Sequence, residues 1–257
     1  MDERQIDAYL HRIDAARPER VDGAALRELH VRHLRAVPFE NLSIHLGEPI
    51  SLDEDALYDK IVTRRRGGFC YELNGLFAAL LTGLGFPVTL LAASVHGRDG
   101  LGPPFDHLAL RVEADGPWLA DVGFGRHSHY PLSLDFPGDQ ADPDGVFRLV
   151  PAAFGDTDVL RDGRGEYRLE ARPRDLADFA PTCWWQQTSP DSHFTRSLVC
   201  SRLTDTGRVT LSGDTLIHTT GDDRVERVLS GGEVLDTYTR EFGFALDRVP
   251  TVAAPVG

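Results

Sequence analysis

The chain has 257 residues, of which 41% are hydrophobic and 26% charged, a composition typical of a globular protein that needs neither disulfides nor metal ions to bury a core. Its formal net charge of −13 repels phosphate backbones, which argues against a nucleic-acid partner. The N-terminus has no signal-like apolar segment and no apolar run reaches the length of a membrane span. With an odd count of three cysteines, we expect a soluble protein in the reducing cytoplasm.

Residues 1–85 carry apolar side chains at helical spacing. The pattern predicts a helix around Ile6–Ile13, ended by Pro18, and a second helix over Asp22–Leu34. A third helix is expected to begin at Ser51, with Ser51 as N-cap and Glu54 in the capping-box position. This part of the chain is therefore predicted to be a helical bundle.

Cys70 lies at the start of the next predicted helix. The helix carries one apolar stripe between Leu73 and Leu84 and follows two glycines, Gly67 and Gly68. A cysteine in a first helical turn is placed where the exposed N–H groups favour its reactive thiolate. The alternative is an ordinary buried cysteine, which is how we interpret Cys183 and Cys200 because neither has an obvious partner base.

From Pro87 onward the pattern changes to short strands separated by Gly, Pro and Asp. The last segment, Gly231–Phe242, is predicted to be a short helix. Helices followed by strands indicate an α+β fold and not an alternating βαβ one. The predicted strands are Val88–Val95, His107–Glu113, Trp118–Val122, Phe147–Val150, Arg208–Leu211, Thr215–Thr219 and Arg224–Val228.

His107 and Asp121 lie on two successive predicted strands. If residues 114–116 form the loop between them, Glu113 opposes Pro117, and His107 and Asp121 share one face as diagonal neighbours. A two-residue loop would place them on opposite faces. The register therefore decides whether these two side chains can meet.

Asp121 stands between apolar neighbours, so its carboxylate needs a partner. An arginine such as Arg111 or Arg126 is one candidate, and His107 is the other. The second choice completes a Cys–His–Asp order, in which a thiolate attacks an acyl donor, an imidazole shuttles the proton and a carboxylate fixes the imidazole tautomer. That chemistry needs no metal, and the spacings match no zinc-ligand pattern.

Four segments resemble the signatures of the arylamine N-acetyltransferase family, and they stand in the family's order. A fifth, weaker match is Ser189–Phe194 (SPDSHF). The resemblance covers most of the chain up to about residue 200 and is loose beyond it. The four are Val37–His45 (VPFENLSIH), Arg66–Asn74 (RGGFCYELN), His107–Leu110 (HLAL) and Asp121–Gly125 (DVGFG).

The resemblance implies a cysteine-protease or transglutaminase-like core in three parts: a helical bundle over residues 1–86, a β-barrel over 87–200 and an α/β lid over 201–257. It implies no permanent cofactor. Acetyl-CoA is the expected co-substrate: it acetylates Cys70 in a ping-pong reaction, and an arylamine, hydrazine or hydroxylamine then takes the acetyl group.

The same resemblance implies roles for further residues. Gly123, Phe124 and Gly125 match the loop that approaches the coenzyme, and Arg126 beside them is a candidate for its phosphates. Glu40 and Arg66 match a structural ion pair beneath the helix that begins at Cys70. Positions that match the apolar wall of the acceptor pocket are Phe39, Phe69, Val95, Phe124 and Phe194.

Three rival functions are compatible with the same features of the chain. One is an amide synthase of the same family, which closes a macrolactam from a carrier-bound polyketide. Another is a transglutaminase-like hydrolase, with water as acceptor, and the third is a non-catalytic ligand-binding relative. His127 and His129 follow the glycine loop at strand spacing. Such residues either bind the substrate or face solvent, and we expect solvent.

Overall fold

The computed structural model describes residues 1–252. The N-terminal part is helical, and two of its helices are capped by aspartates: the side chain of Asp2 accepts from Gln5 N and that of Asp22 from Ala25 N. The helices are α1 (Glu3–Arg12), α2 (Gly23–Ala36), α3 (Leu42–Leu46), α4 (Glu54–Tyr58, continued by a π-helical turn Asp59–Thr63) and α5 (Cys70–Gly83).

The expected start of a helix at Ser51 is wrong. Helix α4 begins at Glu54, with Asp53 in the N-cap position. The Ser51 hydroxyl donates to the Asp53 carboxylate at 2.6 Å, and Glu54 binds the N-terminal ammonium of Met1 at 2.5 Å. Both side chains of the predicted capping box are therefore engaged elsewhere.

Eight strands follow one another across a larger antiparallel sheet, in the order β6-β5-β4-β2-β10-β9-β8-β7, and the short β3 pairs with β2 at its edge. This sheet curls into a nearly closed barrel around its own apolar core. Its strands are β2 (Val88–Gly97), β3 (Gly100–Leu101), β4 (His107–Glu113), β5 (Pro117–Ala120), β6 (Leu132–Ser133), β7 (Gln140–Asp142), β8 (Gly145–Pro151), β9 (Thr157–Arg161) and β10 (Arg164–Arg174).

A smaller antiparallel sheet of five strands lies in the C-terminal part, in the order β1-β11-β12-β13-β14. Its first strand, β1 (Phe39–Glu40), comes from the helical region and pairs with β11, which ties the two regions together. The other elements are α6 (Ala180–Thr188), α7 (His193–Arg196), β11 (Val199–Leu203), β12 (Arg208–Ser212), β13 (Thr215–Thr220), β14 (Asp223–Val228) and α8 (Gly231–Thr237, continued by a π-helical turn Tyr238–Phe242).

Helix α5 occupies the centre of the molecule. Its apolar residues join those of α1 and α2 and the faces of β4 and β5 that point away from the barrel interior in one core. Because the helix is buried on nearly every side, its first turn is held against the barrel. The predicted α+β fold is confirmed, and so are the seven predicted strands, although β5 ends at Ala120, two residues before the prediction.

No helix within residues 1–252 is both long and apolar enough to cross a membrane.

Candidate active site

Cys70 is the first residue of α5, as the sequence predicts, and its side chain is buried. The extended Phe69 precedes it as N-cap, and the Glu72 carboxylate accepts from Phe69 N at 3.2 Å. A Cβ added to Gly123 would lie 2.8 Å from Cys70 Cα. Only glycine therefore allows the 123–125 loop to approach the thiol so closely.

The register predicted for the two strands is confirmed. Glu113 pairs with Pro117 across the 114–116 loop, and His107 Nε2 donates to Asp121 Oδ2 at 2.7 Å. Both side chains are nearly inaccessible. Because Nε2 donates its proton to the carboxylate, Nδ1 is the nitrogen of the imidazole that can exchange a proton with another group.

Asp121 is held by more donors than His107 alone. Asn74 Nδ2 donates to Oδ1 at 2.9 Å, and the Tyr167 hydroxyl donates to Oδ2 at 3.1 Å. We call Asn74, His107, Asp121 and Tyr167 the triad network. Burial alone would raise the pKa of Asp121, but His107 and these hydrogen bonds outweigh it and hold the pKa well below its usual range.

Neither arginine considered for Asp121 reaches it. Arg111 pairs with Glu113 and Arg126 with Asp144. The backbone N–H of Asp121 instead donates to Nε2 of His30 on α2 at 3.1 Å, while Nδ1 of His30 donates to the carbonyl of His129 at 3.0 Å. His30 therefore serves as a neutral support beneath the carboxylate.

The thiol itself is more deeply buried than the sequence indicated. Burial, with smaller contributions from Cys183 and Asp106, raises the pKa of Cys70 well above its ordinary value. This effect of burial opposes that of the helix N-terminus, which we expected from the sequence to favour the thiolate. The proton must therefore pass to a nearby base, and His107 lines the same cavity.

A second group of buried charges lies beneath the start of α5. Arg66 binds Glu40 at 2.9 Å, which confirms the expected ion pair. Lys60, the only lysine of the chain, binds Glu72 at 2.6 Å. We call Glu40, Lys60, Arg66 and Glu72 the ion-pair cluster, and none of its members lines the cavity.

A cavity of about 1400 Å³ opens between the barrel and the smaller sheet, with Cys70 and His107 on its wall. It runs from the thiol to the strands of the smaller sheet. Most of the predicted substrate and coenzyme positions also line it: Phe39, Val95, Gly123, Phe124, Gly125, Arg126 and Phe194.

Three expected positions differ. Phe69 is fully buried and does not line the cavity; it packs edge-on against Phe194 and Tyr71, so it supports the wall from behind. The expectation that His127 faces solvent is wrong, because its ring is buried against Phe147 and Tyr167. His129 is also largely covered and lies 3.5 Å from Asp144.

Sequence reasoning missed three supports of this site. Asn74 lies in the Arg66–Asn74 segment, one helical turn after Cys70, and could have been found there. His30 and Tyr167 are 91 and 46 residues from Asp121, and no local pattern marks them. Within residues 1–252 no group of three or more His, Cys, Asp or Glu side chains is arranged to hold a metal ion.

Comparison with known proteins gives the same family throughout. The family model described as N-acetyltransferase matches residues 22–251. An arylamine N-acetyltransferase of Mycolicibacterium smegmatis is 36% identical, covering 94% of this chain and 92% of its own. The solved arylamine N-acetyltransferase of Salmonella typhimurium superposes with a TM-score of 0.88 at 31% identity, covering 99% and 96%. That of Mycobacterium marinum in complex with CoA has a TM-score of 0.85 at 31% identity, covering 93% and 92%.

Proposed function

The chain belongs to the arylamine N-acetyltransferase family, and we propose that it moves an acetyl group from acetyl-CoA to an arylamine, hydrazine or hydroxylamine through a thioester on Cys70. The observation that carries the proposal is that one cavity is lined both by Cys70, at a helix start, and by His107, which is joined to Asp121 at 2.7 Å. A small molecule that enters the cavity meets this thiol and imidazole together.

In the first half-reaction His107 takes the proton of Cys70 at Nδ1, and the thiolate attacks the carbonyl carbon of acetyl-CoA. The bond from that carbon to the coenzyme sulfur breaks, and the sulfur leaves with the proton that His107 returns. Asp121 keeps the imidazole in the required tautomer and stabilises its charged form. The enzyme is left as the Cys70 thioester.

In the second half-reaction the amine nitrogen attacks the thioester carbon. His107 accepts a proton from the nitrogen and returns it to the Cys70 sulfur as the carbon–sulfur bond breaks. The products are the N-acetylated acceptor and the free thiol. Burial of the thiol supports transfer to an amine over hydrolysis, because little water reaches a thioester at that depth.

The acceptor ring is proposed to lie between aromatic side chains. The rings of Phe39 and Phe194 lie 6.2 Å apart between centroids and are tilted by 46°, and Phe124 packs edge-on against His107 at 5.0 Å. Flat apolar walls of this kind favour an aromatic amine.

The coenzyme phosphates are proposed to bind to arginines of the cavity wall. Although the chain is strongly acidic, five arginines among the described residues line the cavity, and guanidinium groups suit phosphate oxygens. Arg126 follows the 123–125 loop and is now paired with Asp144 at 3.0 Å. The arginines that line the cavity are Arg35, Arg126, Arg196, Arg208 and Arg224.

A mass spectrum after exposure to acetyl-CoA, without acceptor, tests the proposal. We expect one added acetyl group on Cys70, its removal by an aniline, and no adduct in Cys70→Ala. Cys183→Ala is the matched control, because Cys183 is another buried free thiol, and it keeps the adduct. An acetyl group on Cys183 or Cys200 would contradict the assignment of Cys70 as nucleophile. Preference for a long acyl thioester over acetyl-CoA would contradict this function and favour the amide synthase.

We also propose that the protein works in a bacterial cytoplasm. Support comes from the three free cysteines, which suit a reducing compartment, and from the excess of arginine over the single lysine, which is typical of GC-rich bacterial genomes.

A further inference from the structure

Asp106 stands immediately before His107 and lines the same cavity as Cys70. The loop that carries it is fixed by Tyr71, whose hydroxyl donates to the carbonyls of Phe105 at 2.8 Å and Asp106 at 3.2 Å. Phe105 has a positive φ of 62°, a conformation that side chains other than glycine rarely adopt. The chain therefore bears a backbone cost to hold Asp106 where it is.

The carboxylate of Asp106 is oriented but carries no counter-charge. Oδ1 accepts from Gln186 Nε2 at 2.8 Å, and Gln186 is itself buried and held by Ser192 at 2.5 Å. The carboxylate also receives the backbone N–H of Val95. Oδ2 accepts from no side chain within residues 1–252 and lies over Gly102, where an added Cβ would come within 2.2 Å of it. In the described part of the chain no arginine, lysine or histidine nitrogen lies within 4.0 Å of this carboxylate.

Asp144 is the other half-buried acid among the described residues of the cavity wall, and its surroundings differ. It is surrounded by Arg126, Arg208 and His129. A half-buried carboxylate without a cationic partner gains free energy when a ligand supplies a cation or a charged hydrogen-bond donor. The strongly negative charge of the whole chain also draws cations toward the cavity.

We propose that Asp106 determines acceptor specificity by charge: among aromatic amines of equal size, it favours those that carry a cationic group on the ring and disfavours those that carry a carboxylate. This proposal rests on the acetyltransferase function proposed above and adds the substrate class to it. The apolar rings around Phe124 accommodate the aromatic part, and Oδ2 of Asp106 accepts from the cationic group.

Three acceptors of the same shape test this: 4-aminobenzamidine (cation), 4-aminobenzamide (neutral) and 4-aminobenzoate (anion). We measure kcat/KM for each with saturating acetyl-CoA in the wild type and in Asp106→Asn. The ratio of variant to wild type cancels the different reactivities of the three amines. We expect the substitution to lower kcat/KM for the amidine by about tenfold or more, as for loss of a charged hydrogen bond, and to raise it for the benzoate.

Asp191→Asn is the matched control, because it removes one exposed acid from another part of the cavity wall and should leave the ranking of the three acceptors unchanged. Equal variant-to-wild-type ratios for all three acceptors, or the same ranking change in Asp191→Asn, would overturn the proposal. Calorimetric binding of the same compounds without acetyl-CoA separates the two proposals. Charge-dependent binding without turnover contradicts only the acetyltransferase function, and turnover without charge preference contradicts only the role of Asp106.

Discussion

The triad network and the ion-pair cluster both place buried charges against the first turn of α5, yet they differ in what they face. In the triad network His107 lines the cavity, so its Nδ1 is available to a substrate. In the ion-pair cluster every charge faces another protein group, and none lines the cavity. Burial of charge alone therefore does not mark a catalytic group; access from a cavity does.

The largest expected effect is on activity, in the triad network. Asp121→Asn keeps the shape of the carboxylate but cannot fix the His107 tautomer or stabilise its charged form, so we expect acetylation of Cys70 to slow by about 10³–10⁴-fold. Single-turnover release of CoA measures this rate per folded molecule, and urea unfolding measures the stability that is lost with the buried carboxylate. Asp139→Asn, an exposed acid paired with Arg148, is the control. A large fall in stability with near-normal acetylation would reverse the roles assigned to the two clusters.

The ion-pair cluster should show the opposite result. Lys60→Met leaves the Glu72 carboxylate buried without its cation, and we expect the free energy of unfolding to fall by about 3–5 kcal/mol. Acetylation per folded molecule should change far less than in Asp121→Asn. Urea unfolding followed by fluorescence measures the loss.

A double variant separates the pair from its surroundings. In Lys60→Met with Glu72→Gln no charge of this pair remains, so most of the lost stability should return. The amide oxygen introduced by Glu72→Gln can still accept from Phe69 N, as the carboxylate of Glu72 does. If the double variant is as unstable as Lys60→Met, Lys60 stabilises the fold in some other way.

The two clusters also differ in how far the sequence could predict them. Cys70, His107 and Asp121 could be placed because one helical stripe and one three-residue loop fix their positions locally. The Glu40–Arg66 pair was expected only from the family resemblance. Lys60 remained unassigned because a lone lysine on a polar helix resembles a surface residue, and its burial depends on a π-helical turn that no periodicity predicts.

The other failures concern strands and a histidine whose burial no local pattern shows. Strands β9 and β10 were missed because they are rich in charged residues and only alternate residues are buried. His127 was placed in solvent because its burial depends on Tyr167, which belongs to β10 and lies 40 residues away. Contacts of this kind form only when the barrel closes.

The smallest expected effect concerns acid stability, and it tests the neutral support of the triad network. Burial lowers the pKa of His30 to about 4, against about 6.5 in an unfolded chain. A histidine whose folded pKa is depressed contributes stability above pH 6.5, and that contribution is lost as the pH falls toward 4. At pH 4.5 the loss amounts to about 2–3 kcal/mol relative to pH 7.

His30→Gln removes this titration, so the free energy of unfolding should fall less steeply between pH 7 and pH 4.5 than in the wild type. The comparison is between slopes, because the variant also loses hydrogen bonds at every pH. The buried His33, whose pKa is lowered by burial and to a smaller extent by His30, still titrates in the variant, so the slope becomes shallower but does not vanish. His11→Gln, in the last turn of α1 and exposed, should keep the wild-type slope. If His30→Gln also keeps it, His30 takes up a proton in the folded protein as readily as in the unfolded chain, and the hydrogen bond from Asp121 N to its Nε2 does not hold His30 neutral.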